Sequence, residues 1–321
     1  PERVSLSIGT AAFLFVADVG NHRIMEFPVT TGSVATTASA EQGQPSFATA
    51  KPNGHTMNRP QAIAFAGGQM IVCDSKNNRV LIYNTTPSSG DPTPDVILGQ
   101  ASLFDTSANQ GLAAPTSATL SSPSGVATDG TRLVIADTGN NRVLVFNTIP
   151  AVTGTAADVV LGQATFTVST PNTGGISSST LDSPYGLTIF GTQLIVCDRD
   201  NHRVVIWNDV TSVVDGAASS VVLGQNDFSS RLPNHGVVTT AATLHTPLEV
   251  EVAGGILWVV DSMNHRVLGF SGTTSSSISA SRVIGQPSFV SGDAGIGNSR
   301  LNTPSGVASD GMRFFISDSG S

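Results

Sequence analysis

The apolar positions of this chain fall in short runs of strand length, and none follows the three-to-four-residue spacing of an amphipathic helix. Near the middle the runs are "GVAT" (125–128), "RLVIAD" (132–137), "NRVLVF" (141–146) and "DVVLGQ" (158–163). The second and third are almost continuously apolar, the pattern of strands covered on both faces. A hairpin-type DG pair follows the first run, and the turn Asp-Thr-Gly-Asn-Asn (137–141) follows the second. Four short strands joined in chain order are predicted here.

The same runs recur along the whole chain. "VADVGNHRIMEF", "VCDSKNNRVLIY", "IADTGNNRVLVF", "VCDRDNHRVVIW" and "VVDSMNHRVLGF" align on Asp18, Asp74, Asp137, Asp198 and Asp261, and "ISDSGS" adds Asp318. Upstream stands "SPSGVATDG", echoed by "RPQAIAFAGG", "SPYGLTIFG", "TPLEVEVAGG" and "TPSGVASDG"; downstream stands "DVVLGQATF", echoed by "DVILGQASLF", "SVVLGQNDF", "RVIGQPSF" and "EQGQPSF". Repetition at this period marks a solenoid, propeller or array. Small four-stranded sheets, each covered by its neighbours, describe an all-β, six-bladed β-propeller of antiparallel blades with the last blade incomplete. The expected units are about 1–59, 60–122, 123–183, 184–246, 247–303 and a partial 304–321, forming one domain.

The stretches Asp18–Phe27, Asp74–Tyr83, Asp137–Phe146, Asp198–Trp207 and Asp261–Phe270 resemble the repeat of the NHL propeller family, and the "LGQ" word resembles a bacterial subset of it. The connection from each "LGQ" to the next "P-x-G" is longer than that family's usual repeat. The resemblance implies the propeller fold. It also sets three activities beside this chain: calcium-dependent lactonases, a zinc-bearing peptidyl-hydroxyglycine lyase, and RNA binding by animal members.

A motif present in every complete unit reads as scaffold rather than as a catalytic site. Its Asp and Asn side chains are suited to backbone N–H groups in the turn. Arg23, Arg79, Arg142, Arg203 and Arg266 are expected to fork onto the turn Asp of their own or an adjacent blade. The Gln of "LGQ" would satisfy loop backbone, and the Phe after it would plug the gap between blades. His22, His202 and His265 occupy one equivalent position, dispersed round the ring, and so do not converge as zinc ligands must. Cys73 and Cys197, two blades apart, read as buried fillers rather than a disulfide.

Composition narrows the function classes. The chain has 321 residues and a net charge of −8, with 12% charged residues, of which only Lys51 and Lys76 are lysines. That balance argues against a nucleic-acid surface, which needs lysine and arginine opposite phosphate. No membrane span is expected, no glycine loop suits a nucleotide, and no cofactor is implied. The Lys-poor, Ser/Thr-rich, acidic surface suggests an extracellular, periplasmic or cell-surface protein. Pro1 reads as a processed or trimmed start.

If repeated residues build the scaffold, function falls to residues that break the repeat. After each entry proline come Gln61, Ser124, Tyr185, Leu248 and Ser305, then Ala62, Gly125, Gly186, Glu249 and Gly306, with Arg3 in the first unit. Tyr185, Glu249 and Arg3 depart from the pattern; with Gln61, Arg59, Asp182 and His245 on adjoining loop ends they form the candidate ligand site at the channel mouth. Glu251 lies on the strand of Glu249. The expected function is a non-enzymatic binding or scaffold module with a protein or glycan partner. The alternative is a metal-dependent hydrolase or lyase at that mouth. The sixth unit stops after its second strand, at "FFISDSGS". Three outcomes are open: a natural chain that continues past Ser321, completion of the blade by a partner or second copy at the open edge, or an open ring.

Overall fold

A computed structural model describes residues 3–8, 12–30, 33–52 and 55–320, giving the backbone alone for 3–8 and 12. Its strands form six antiparallel sheets in chain order. Blade one holds Arg3–Ile8, Ala12–Asp18 and Arg23–Thr30, with Ser33–Val34 and Ala40–Gln42 both on the third strand. Blade two holds Pro60–Ala66, Gln69–Asp74, Arg79–Tyr83 and Val96–Leu98, and blade three Gly125–Thr128, Leu133–Asp137, Arg142–Phe146 and Val159–Leu161. Blade four holds Pro184–Phe190, Gln193–Asp198, Arg203–Trp207 and Val221–Leu223. Blade five holds Pro247–Ala253, Ile256–Asp261, Arg266–Phe270 and Arg282–Ile284. Pro304–Ser309 and Phe314–Asp318 make a sheet of two strands. The repeat count predicts six blades; the structure has five, because the sixth repeat supplies only these two strands among the described residues.

The apolar runs are continuous because each sheet is sandwiched. Ile71 and Ile82 of blade two pack with Ile135 and Leu144 of blade three. Val134 and Val145 on the other face of blade three pack with Val196 and Val205 of blade four. The ring includes the two-stranded sheet: Trp258 and Val260 of blade five meet Val307, and Ala308 on its other side meets Leu14 and Val16 of blade one. Arg313 Nη1 also donates to the Thr30 carbonyl across that junction, at 3.1 Å.

Two glycines of the repeat answer to this packing. The first strands crowd at the axis, and a Cβ on Gly125 or Gly186 would lie 2.2 or 2.3 Å from the carbonyl oxygen of Tyr185 or Leu248 in the next blade. The "LGQ" glycines, Gly162 for one, have positive φ and no room for a Cβ beside the leucine that enters the next blade, Leu181. The aromatic plug is only partly realised. Phe166, Phe228 and Phe289 pack against the inter-blade cores, but Leu103 takes that place after blade two, and Phe104 and Phe47 are largely exposed.

Candidate functional site

Each second strand ends in a short 3-10 turn, and the residue after it adopts left-handed backbone: His22, Asn78, Asn141, His202 and His265, with φ of 52–58°. The turn aspartate lies beneath. In blade three, Asp137 Oδ1 accepts the Ser121 N–H at 2.7 Å, while Oδ2 accepts Asn140 Nδ2 and Arg142 Nε, each at 2.7 Å. Arg142 does not fork onto the aspartate as the sequence suggests. One nitrogen meets it, in the same blade, and the other two bond the carbonyls of Phe166, Thr116 and Thr119 on neighbouring connections. The Asp74–Arg79, Asp198–Arg203 and Asp261–Arg266 pairs repeat this with both side chains fully buried; the Asp18–Arg23 pair is slightly exposed. A buried pair is tolerable when every remaining donor is satisfied, and here the guanidinium is.

The left-handed residue links blades. Asn78 and Asn141 Oδ1 accept the N–H of Ser122 and Ser183 at 2.7 Å. His22, His202 and His265 do the same through Nδ1, to Arg59, Thr246 and Thr303 at 2.9–3.1 Å. Asn and His share this position because both tolerate left-handed backbone and both offer an acceptor at the same reach. Cys73 and Cys197 are buried free thiols.

The residues that break the repeat separate into two groups. Arg59 and Gln61 enter blade two, Arg59 with its N–H held by His22. Arg3 is in the first strand, its side chain outside the described residues. The other group meets at the mouth between blades four and five. Arg199 lies over the Tyr185 ring at 5.3 Å and bonds Asp200 through two nitrogens at 2.9 and 3.1 Å. His202 and His245 stack edge to face with ring centres 5.2 Å apart. Asp182 accepts from the Ser183 hydroxyl through Oδ1 and feels the charges of Asp200 and Arg199. Burial, and then the charge of Asp200, raise the Asp182 carboxyl above its ordinary range. Burial opposes ionisation of Asp200 as well, but bonds from Arg199 and Ser183 outweigh it and lower the carboxyl. Burial and then His245 push His202 down to about 4, so the imidazole is neutral at physiological pH.

Glu249 is 8% exposed and turns toward blade four, its Oε1 2.6 Å from where a Cβ on Gly186 would stand. Below it a channel of about 260 Å³ runs between the first strands. Its wall is small and neutral at Ala64, Ala127, Thr188 and Ala308, and carries Glu251 at the equivalent place in blade five. Burial alone pushes the Glu251 carboxyl up to about 7. Among the described residues no three His, Cys, Asp or Glu are grouped to hold a metal, and no helix is long and apolar enough to cross a membrane.

Arg199, Asp200 and His202 are absent from the sequence-derived site. One signal for them is there: the blade-four turn carries Arg-Asp where the others carry Val-Gly, Ser-Lys, Thr-Gly and Ser-Met. His202 reads as a plain turn residue until the fold brings His245 beside it.

These sheets, cores and turns define a β-propeller of four-stranded antiparallel blades. The sequence profile of the NHL repeat matches residues 120–146. The fold is similar to that of nidogen, solved as a nidogen/laminin complex: identity is 16% and the TM-score 0.56, over 95% of this chain and 85% of that one. It is also similar to a catalytically inactive virginiamycin B lyase from Staphylococcus aureus, solved with quinupristin, at 13% identity and TM-score 0.52, over 99% of this chain and 78% of that one. None of the curated proteins matches.

Proposed function

We propose that this propeller is a non-enzymatic binding or scaffold module of an extracellular, periplasmic or cell-surface setting, and that its protein or glycan partner docks at the mouth between blades four and five. One observation carries the reading. Five turns share a single hydrogen-bonding plan, and at this mouth the plan is overlaid by two groups, Tyr185–Arg199–Asp200 with the charge of Asp200 acting on Asp182, and His202 stacked on His245. An aromatic ring beside paired charges, half-exposed at the rim of a channel, is the composition of an interface hot spot. The Lys-poor, acidic surface supports the setting.

The wild-type protein is to be screened on a glycan array and a displayed peptide library. Ligands found there lose at least tenfold affinity on Tyr185→Ala and keep it on Gln61→Ala across the ring. Equal losses, or none from Tyr185→Ala, overturn the reading.

A second reading, a metal-dependent hydrolase or lyase, has one observation in its favour: a carboxyl held near neutrality in the channel, at Glu251, is suited to general acid–base chemistry. We also read Pro304–Ser309 and Phe314–Asp318 as the inner half of a sixth blade. Phe314, on the second of these strands, stacks on Trp258 of blade five with ring centres 4.6 Å apart.

A further inference from the structure

The outermost strand of a blade is covered by the blade that follows. In blades three, four and five the connection between the third and fourth strands reaches back over the fourth strand of the preceding blade as a strap of fixed geometry. The middle residue of that strand, Ile97, Val160 or Val222, lies opposite the third strand at a register where its N–H and C=O point outward. Its N–H donates to a strap side chain, Thr153, Asp215 or Ser276, at 2.9–3.1 Å. Its carbonyl accepts the N–H of the next strap residue, Gly154, Gly216 or Ser277, at 2.9–3.0 Å. Those three residues have φ of 57–76°. Three places further on, the N–H of Ala157, Ser219 or Ala280 donates at 2.8 Å to the connection that enters the strap's own blade. The strap also brings apolar cover: Ala157 packs with Val96 and Leu98, and Ala280 with Val221 and Leu223.

Blade five lacks this cover among the described residues. Its fourth strand, Arg282–Ile284, keeps the register, with Val283 opposite Leu268, but no described residue bonds the outward N–H or C=O of Val283. The strands Val96–Leu98, Val159–Leu161 and Val221–Leu223 are buried throughout, whereas Arg282 is exposed and Val283 and Ile284 are half-buried. Leu301, beside Gly285, is half-buried too, where Leu120, Leu181 and Leu244 are 0–2% exposed. Outward backbone groups next to uncovered apolar side chains make an edge that accepts another strand. Arg282 adds a charge to it. Val96, Val159 and Val221 stand at its place in the other blades, and it makes no ion pair among the described residues.

We propose that this edge docks a peptide segment of another protein with the chemistry of the straps: an aspartate followed by glycine, with a small residue three places after the glycine. The aspartate carboxylate accepts the Val283 N–H and pairs with the Arg282 guanidinium. The glycine takes the positive φ and gives its N–H to the Val283 carbonyl, and the small residue covers Ile284. Arg282 selects aspartate over the Thr and Ser of two of the other straps. The edge lies on the outermost strand of blade five, whereas the mouth lies at the first strands.

The test uses the 321-residue protein and a fluorescein-labelled peptide with the sequence of residues 212–219, the blade-four strap. Anisotropy is expected to show saturable binding. Asn in place of the peptide's Asp, or sarcosine, which has no N–H, in place of its Gly, weakens it at least fivefold, and so does Arg282→Gln in the protein. Amide hydrogen exchange at Val283 slows at least tenfold with peptide, while that at Val222, already strapped, does not change. No binding at millimolar peptide, equal binding of the Asp and Asn peptides, or unchanged exchange at Val283 overturns the proposal. A dimer in sedimentation whose Val283 amide is protected without peptide assigns the edge to a second copy and overturns it as well. Neither readout involves Tyr185 or His245, so failure here leaves the mouth untouched.

Discussion

At the scale of single residues, one position carries both Asn and His without a change of purpose. His202 Nδ1 accepts the Thr246 N–H, the bond that Asn141 makes to Ser183. His202→Asn is therefore expected to keep the link between blades four and five, whereas His202→Leu leaves the Thr246 N–H unpaired at a cost of about 1–3 kcal/mol. Protonation of Nδ1 removes the same bond. The folded pKa, about 4, lies below the unfolded value near 6.5, so the unfolded state takes up the proton first. Stability then falls as pH drops from about 6.5 to about 4. Urea unfolding across that window is expected to show a shallower acid loss in His202→Asn than in wild type, the share of His245 and His22 remaining, since burial lowers both. An unchanged slope refutes the link.

Among elements, the spacing between first strands decides which residues the repeat accepts. Gly125 has no space for a side chain because the Tyr185 carbonyl stands in it, and Ala136 lies beside. Gly125→Ala is expected to force the two first strands apart and lower stability by about 2–4 kcal/mol, within the range for overpacking and strain. Chemical denaturation measures it; a loss under 1 kcal/mol means that the strands yield. The glycine is plain in the sequence as part of "P-S-G-V-A". Its cause is not, because the obstructing carbonyl belongs to a residue of the next repeat. Asp182, Tyr185 and His245 are likewise visible as departures from the repeat, but Tyr185 and Asp182 reach Arg199 and Asp200 within blade four, and only the meeting of His202 with His245 depends on how blades four and five face each other.

For the whole molecule, the channel is the one place where all the first strands are near one another, and Glu251 puts a carboxyl into it. Among the described residues the other charged group on its wall is Glu249. Glu251 has a folded pKa of about 7 against an unfolded value near 4.3–4.5, so folding favours its protonated form. Its contribution is intact below about pH 4.5 and is lost as pH rises through 7. Glu251→Gln is expected to melt above wild type at pH 8, with the difference closing toward pH 4.5; a constant difference across that range refutes the burial of this carboxyl. Ring closure also belongs to this scale. The two-stranded sheet is held by Trp258 and Val260 on one side and by Leu14 and Val16 on the other, with Arg313 bonded to Thr30.

By itself the sequence determined the strands, their order, the recurring turn and the propeller class, because each depends on residues close in the chain and is repeated until chance is excluded. Only the tertiary structure decided where the arginine donors go, why Gly125 and Gly186 stand in their first strands, and which exceptional side chains meet. Those outcomes turn on atoms that are distant in the chain and within a few ångströms in space, such as His202 and His245, and the distance between two blades is set by their packed cores rather than by any local pattern.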